Sequence, residues 1–151
     1  MNTIEEKQAL QRAAALCSRR ECCIKQIEEK LITWGQSGAA RERILSKLTE
    51  EKFIDEARFA RAFALDKLRY SHWGKMKIAQ ALRLQGIQSD VRDEALAELP
   101  EDEYSEIIQH LAQAKKSTIK ASSEYERKAK LVRYLVAKGF EYDLINEFLD
   151  D

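Results

Sequence analysis

The sequence predicts an all-α chain, a tandem array of three three-helix repeats, elongated and with its curvature left open. Three observations lead there. Ala, Leu, Glu, Lys and Arg dominate the 151 residues, and few runs of Val, Ile or Thr could pair as strands. One proline and five glycines leave few breaks. Three of those glycines, Gly35, Gly86 and Gly139, recur 51 and 53 residues apart inside the same apolar frame.

That frame is explicit. Leu31, Leu82 and Leu135 stand four residues before the glycines, and Ile27, Ile78 and Leu131 stand eight before. Ala40, Val91 and Leu144 follow at five, Ile44, Ala95 and Phe148 at nine, and Leu45, Leu96 and Leu149 at ten. A unit of about 50 residues buries too little apolar surface to offset its own chain entropy, so neighbouring units must share a core. The chain is therefore expected to be a single helical-repeat domain, with repeats at about 1–51, 52–100 and 101–151.

In the first repeat the helices are expected at Ile4–Cys17, Arg20–Trp34 and Ala39–Glu51, with Ser18 capping the second and Glu21 as its capping-box partner. In the second they fall at Asp55–Tyr70, Lys75–Gln85 and Asp90–Leu99, with a break at Ser71–Gly74 and Ser89 as N-cap. Phe59, Ala62, Phe63 and Leu68 form the apolar stripe of the first of these helices, Ile78 and Leu82 that of the next. Gly86 suits a left-handed C-cap. Pro100 ends the repeat. The third holds Asp102–Lys115, Ser123–Lys138 and Tyr142–Asp150, with the loop KKSTIKASS inside it.

Charge is unevenly placed on a chain that is neutral overall, with 26 basic and 26 acidic residues. Between Arg58 and Ile87 seven bases, Arg58, Arg61, Lys67, Arg69, Lys75, Lys77 and Arg83, face only Asp66. Tyr70, His72 and Trp73 are interleaved with them, whereas the last 51 residues carry eleven acids against eight bases. A basic run is often a solvated helix face; here it also fits a surface for nucleic acid or for a protein that handles it. Arg19, Arg20 and Lys25, with Arg41 and Arg43, extend that surface. Trp34 is expected to pack between repeats, and Trp73 either to do so or to stack on a nucleobase.

Other chemistries find no support. His72 and His110 lie in different repeats, and Cys17, Cys22 and Cys23 do not project toward one tetrahedral site, so neither metal nor cofactor is expected and Cys23 is assigned to the core. No Gly-rich strand-to-helix turn carries a nucleophile, and Gly74–Lys75 lacks the upstream glycines of a phosphate loop. The carboxylate pairs Glu28–Glu29, Glu50–Glu51 and Asp150–Asp151 read as solvated. No enzyme is expected. No apolar run has the length of a membrane span and no signal-peptide pattern opens the chain, so a cytoplasmic location is expected; with an odd cysteine count, a disulfide framework is not.

The residues also resemble a family. LCSRRECCIKQIEEKL, FIDEARFARAF and WGKMKIAQALRLQGI are similar to the RecX family of bacterial regulatory proteins. Its signature, a hydrophobic pair, an acidic pair, one residue and then Arg-aromatic-Ala, is matched by Phe53, Ile54, Asp55, Glu56, Ala57, Arg58, Phe59 and Ala60. Gly74–Lys75 matches a Gly-basic turn, Gly86–Ile87 a helix end, and Ser18–Glu21 the Ser-Arg-Arg-Glu of the first repeat. Cys22 and Cys23 depart from the family's aromatic and serine, and a further arginine usual near Met76 is missing. The similarity weakens after Pro100.

The resemblance implies a modulator of the RecA recombinase, acting as a monomer along the groove of the RecA filament on single-stranded DNA. It would restrain filament growth, strand exchange, ATP hydrolysis and coprotease activity. Under that reading Arg19, Arg20, Lys25, Arg58, Arg61, Lys67, Arg69, Trp73, Lys75, Lys77 and Arg83 are the candidate contacts to RecA or DNA. Two alternatives remain open at this stage: a helical-repeat protein binding DNA without RecA, and a non-catalytic scaffold for other helices.

Overall fold

The computed structural model describes residues 4–149. Nine helices and no strand occur among them: α1 Glu6–Arg19, α2 Ile24–Thr33, α3 Gly38–Glu50, α4 Glu56–Ser71, α5 Lys75–Leu84, α6 Ser89–Ala97, α7 Glu101–Lys116, α8 Glu124–Ala137 and α9 Tyr142–Leu149. The all-α organisation in three-helix sets is the one the sequence predicts. The expected end of α9 at Asp150, and the pair Asp150–Asp151, lie outside the described residues.

The recurring glycines each close a helix in the left-handed region, with φ of 78° at Gly35, 78° at Gly86 and 101° at Gly139. The next amide then reaches back five residues. Gln36 N donates to Leu31 O, Ile87 N to Leu82 O and Phe140 N to Leu135 O, at 3.0, 3.1 and 3.1 Å. This is the long hydrogen bond of a Schellman ending, and it satisfies carbonyls that the helix leaves unpaired. The residue it positions is buried in all three copies. In the first two copies an arginine fastens it further: Arg41 donates to Gln36 O and Arg92 to Ile87 O. Arg41, expected on the basic surface, is thus a structural donor, and Arg43 forms a two-bond pair with Glu6.

Several boundaries differ from expectation, each for a local reason. Ser18 does not cap α2; it lies inside α1 and its hydroxyl donates to Ala14 O. Helix α2 starts four residues later than predicted, with Cys23 as its N-cap and Gln26 Oε1 accepting from Cys23 N. Ser37 and Ser123 cap α3 and α8 by accepting from the amides of Ala40 and Glu126. Ser89 is the first residue of α6, not its cap. Ala60, Ala64 and Leu68 are the fully buried line of α4, together with Phe59, whereas Ala62 and Phe63 are half-buried. Alanines carry little apolar weight in a pattern, which hides such a line in the sequence.

The chain forms two compact units, Met1–Ala62 with Leu82–Arg92, and Phe63–Ala81 with Asp93–Asp151. Their boundaries fall inside α4, α5 and α6. In the first unit α1, α2 and α3 pack on one another around Ala9, Ala13, Cys17, Cys22, Ile27, Leu31, Ile44, Leu48 and Ile54. All three cysteines are buried and unpaired, with Cys23 in the core as expected.

In the second unit α8 packs on α7 and α9, and the turn before α5 meets the turn after α8. Gly74 N donates to Lys138 O at 2.8 Å and Met76 N to Gly139 O at 2.9 Å. A Cβ on Gly74 would overlap the backbone of Gly139 and Phe140; one on Gly139 would lie 2.7 Å from Lys77 N. Gly86, by contrast, has open space around it and needs glycine only for its φ. Gly86→Ala should therefore cost about 1 kcal/mol. Gly74→Ala should cost more, at the upper end of roughly 1–3 kcal/mol for overpacking, because backbone cannot swing aside. Urea denaturation of the two variants checks the order.

Candidate functional site

The predicted site residues divide between the units. Arg19, Arg20, Lys25, Arg58, Arg61 and Arg83 belong to the first; Lys67, Arg69, Trp73, Lys75 and Lys77 belong to the second.

In the first unit the two most recognisable motifs meet. Both carboxylate oxygens of Glu21, from Ser-Arg-Arg-Glu, share the one N–H of Arg58 Nε, at 2.6 and 2.8 Å. Arg58 also donates through Nη2 to Lys52 O, and Asp55 Oδ1 accepts from Arg58 N to cap α4. Glu21 thus clamps the start of α4 and has no part in a capping box. The hydrogen bond to Glu21 pushes the Arg58 guanidinium further up, so it stays charged and its charge is answered locally. Lys25 Nζ donates to Leu84 O at 2.6 Å, and Cys23 Sγ lies 3.8 Å from Gln85 O, so both tie α2 to the end of α5. Arg19, Arg20 and Arg83 are exposed.

In the second unit the remaining residues flank the turn between α4 and α5: Lys67 and Arg69 on α4, Trp73 in the turn, Lys75 and Lys77 on α5. Trp73 is half-buried, with Lys67 Nζ 4.8 Å and Lys77 Nζ 4.7 Å from its ring centroid. These are cation–π distances. Neither lysine meets a carboxylate among the described residues. Arg69 differs: it forms a two-bond pair with Glu103 at 2.6 and 3.0 Å, which holds the Glu103 carboxyl below its ordinary range.

Behind this turn lies a polar knot that the sequence did not reveal. The Tyr104 hydroxyl accepts from Lys75 N at 2.9 Å and donates to Glu141 Oε1. Burial, and then Glu141, push the Tyr104 hydroxyl far above its ordinary pKa, so it remains a donor at any working pH. Lys75 Nζ sits 5.2 Å from the Tyr104 ring, and Lys138 Nζ donates to Ser71 O. No local pattern around Tyr104 or Glu141 marks this contact, because their partners lie 29 and 37 residues away in sequence.

Burial with Cys22 alongside pushes the Cys17 thiol up to about 12, which keeps it protonated and poorly nucleophilic. Among the described residues no group of three or more His, Cys, Asp or Glu could hold a metal ion, and no helix is long and apolar enough to cross a membrane.

Two outcomes follow from this geometry. A double-mutant cycle of Arg58→Ala and Glu21→Ala should give a coupling of about 1 kcal/mol, reduced from that of a buried pair because both side chains are about a third exposed. A cycle between Arg58 and Lys67 should give none. Glu56 provides a pH signature: burial raises its carboxyl above the ordinary 4.5, and Oε2 is buried without a hydrogen bond. The folded chain holds this proton more tightly than the unfolded one, so the favourable contribution is complete at low pH and lost as pH rises through the raised value. Glu56→Gln should stabilise the protein at about pH 7 and have little effect near pH 4, as read by thermal melts at both.

Residues 55–96 match the family model described as "RecX, second three-helix domain" and residues 101–149 that of "RecX, third three-helix domain". A "Regulatory protein RecX" of Prosthecochloris aestuarii is 32% identical over 153 residues, covering 100% of this chain and 97% of the relative. One of Vibrio parahaemolyticus is 30% identical, covering 95% and 89%. Others are longer: the chain spans 48% of the relative from Leuconostoc mesenteroides, at 28% identity. The crystal structure of RecX from Lactobacillus salivarius has a TM-score of 0.87 over 96% of this chain and 94% of that one, and at 21% identity it speaks for the fold alone. On the length and identity of the Prosthecochloris and Vibrio matches, together with both three-helix models, the chain belongs to the RecX family.

Proposed function

We propose that the chain is a negative regulator of the RecA recombinase, binding in the groove of the RecA filament on single-stranded DNA. The observation that carries this reading is membership of a family of regulatory proteins along the whole chain. The geometry supports it in a specific way. Lys67 and Lys77 sit 4.8 and 4.7 Å from the Trp73 ring centroid, neither meets a carboxylate among the described residues, and Lys75 adds a further positive charge at the start of α5. Such a surface attracts an acidic protein face or a phosphate backbone. Arg83, in the first unit, is exposed and available to the same kind of partner.

Arg58 and Arg69 act differently in this reading. Their guanidinium groups are occupied by Glu21 and Glu103, so they position the turns rather than touch the partner. Inhibition then works by mass action. A monomer that bridges neighbouring RecA subunits favours one subunit arrangement, and the filament shifts toward it at the expense of growth, strand exchange, ATP turnover and coprotease activity. No cofactor is required.

The test is RecA ATPase activity on single-stranded DNA, titrated with the chain. The wild-type chain should depress the rate. The variant Lys75→Glu, Lys77→Glu, Arg83→Glu should lose that effect while its helical circular dichroism is unchanged. Inhibition equal to wild type by a folded triple variant contradicts the assignment.

A further inference from the structure

A second basic site lies in the first unit, away from the turn at Trp73 in sequence. On α1, Arg12, Ala15, Leu16 and Arg19 follow the spacing i, i+3, i+4, i+7, and so share one helix face. On α2, Lys30 is followed one turn later by Trp34, the C-cap residue. These six residues line one pocket of about 230 Å³. The two helices pack on each other, which makes the pocket a groove between their faces.

Its composition is one-sided. Arg12, Arg19 and Lys30 contribute three cations, and no carboxylate lines the pocket. None of the three forms an ion pair among the described residues. Arg12 instead sits with its guanidinium carbon 5.7 Å from the Trp34 ring centroid. Arg19 and Lys30 lie in the last turns of α1 and α2, where a positive charge meets the negative end of the helix dipole. That accounts for each one singly. It does not neutralise three like charges gathered around a half-buried indole.

We infer that this pocket binds single-stranded nucleic acid directly, with Arg12, Arg19 and Lys30 on successive phosphates and the Trp34 indole beside a base. An acidic peptide would satisfy the cations, but it has no use for the flat aromatic wall, whereas a nucleotide presents both a phosphate and a ring. The pocket is the size of one base-like group, not of a whole helix. The choice of a single strand rests on the function proposed above; the site itself does not involve RecA. Of its residues the sequence marks Arg19 as a candidate contact and Trp34 as a packing residue; Arg12 and Lys30 join them through helical register.

The experiment uses the chain without RecA and a fluorescein-labelled oligo-dT, read by anisotropy as salt is varied. Binding should occur with a negative slope of log K against log salt. Arg12→Glu with Lys30→Glu should weaken it at least about tenfold and flatten the slope by about 1.4, at about 0.7 for each phosphate no longer neutralised. Lys47→Glu, on α3, is the control and should change little. Quenching of Trp34 fluorescence in a Trp73→Phe background provides a second readout at the pocket itself. Unaltered binding by a folded double variant, or poly-glutamate competing as well as oligo-dT, overturns the inference. Failure here with RecA inhibition intact would leave the proposed function standing; loss of both would not.

Discussion

The constraint on which the second unit depends is the close approach of two peptide backbones at Gly74 and Gly139. No side chain fits between them, because even a methyl group would overlap backbone atoms. Two hydrogen bonds, Gly74 N to Lys138 O and Met76 N to Gly139 O, lock the approach. Tyr104 fixes the same turn from a third element by accepting from Lys75 N. Trp73 and the first residues of α5, with Lys75 and Lys77, are therefore tied to the unit by three hydrogen bonds. Cations fixed in this way lose less entropy on meeting a partner than cations on a mobile loop.

The first unit reaches a similar end by different means. Its turns are fastened by charged and polar groups at partly exposed positions: Glu21 on Arg58, Lys25 on the Leu84 carbonyl, and Arg41 and Arg92 on the carbonyls after the closing glycines. Many of the conspicuous basic residues are thus parts of the scaffold. What separates a structural arginine from an available one is not its type but whether a carboxylate or carbonyl meets it. By that measure Arg58, Arg69, Lys25 and Arg41 differ from Lys67 and Lys77.

That distinction also marks what the sequence could and could not convey. The threefold frame was legible because apolar spacing and left-handed glycines are local, periodic signals, and the leucines four residues before each glycine are buried in all three copies. The family motifs were legible as strings. Their meaning was not: Glu21 reads as a capping-box partner for Ser18 until the fold brings Arg58, 37 residues away, against it. Cys23, 0% exposed at the start of α2, fills a position that takes a small, weakly polar group, a demand invisible without the Gln85 contact. The pairing of Gly74 with Gly139, and the Tyr104–Glu141 bond, depend on contacts between distant parts of the chain. Nothing in the local pattern encodes them.

Under the proposed function the chain acts by occupancy, and its effect is set by how well it fits an assembled filament. Co-sedimentation with RecA assembled on single-stranded DNA tests this most directly. The chain should pellet with the filament, saturate at a fixed ratio to RecA, and be released as salt is raised. A chain that remains in the supernatant beside fully assembled filaments at low salt would contradict it.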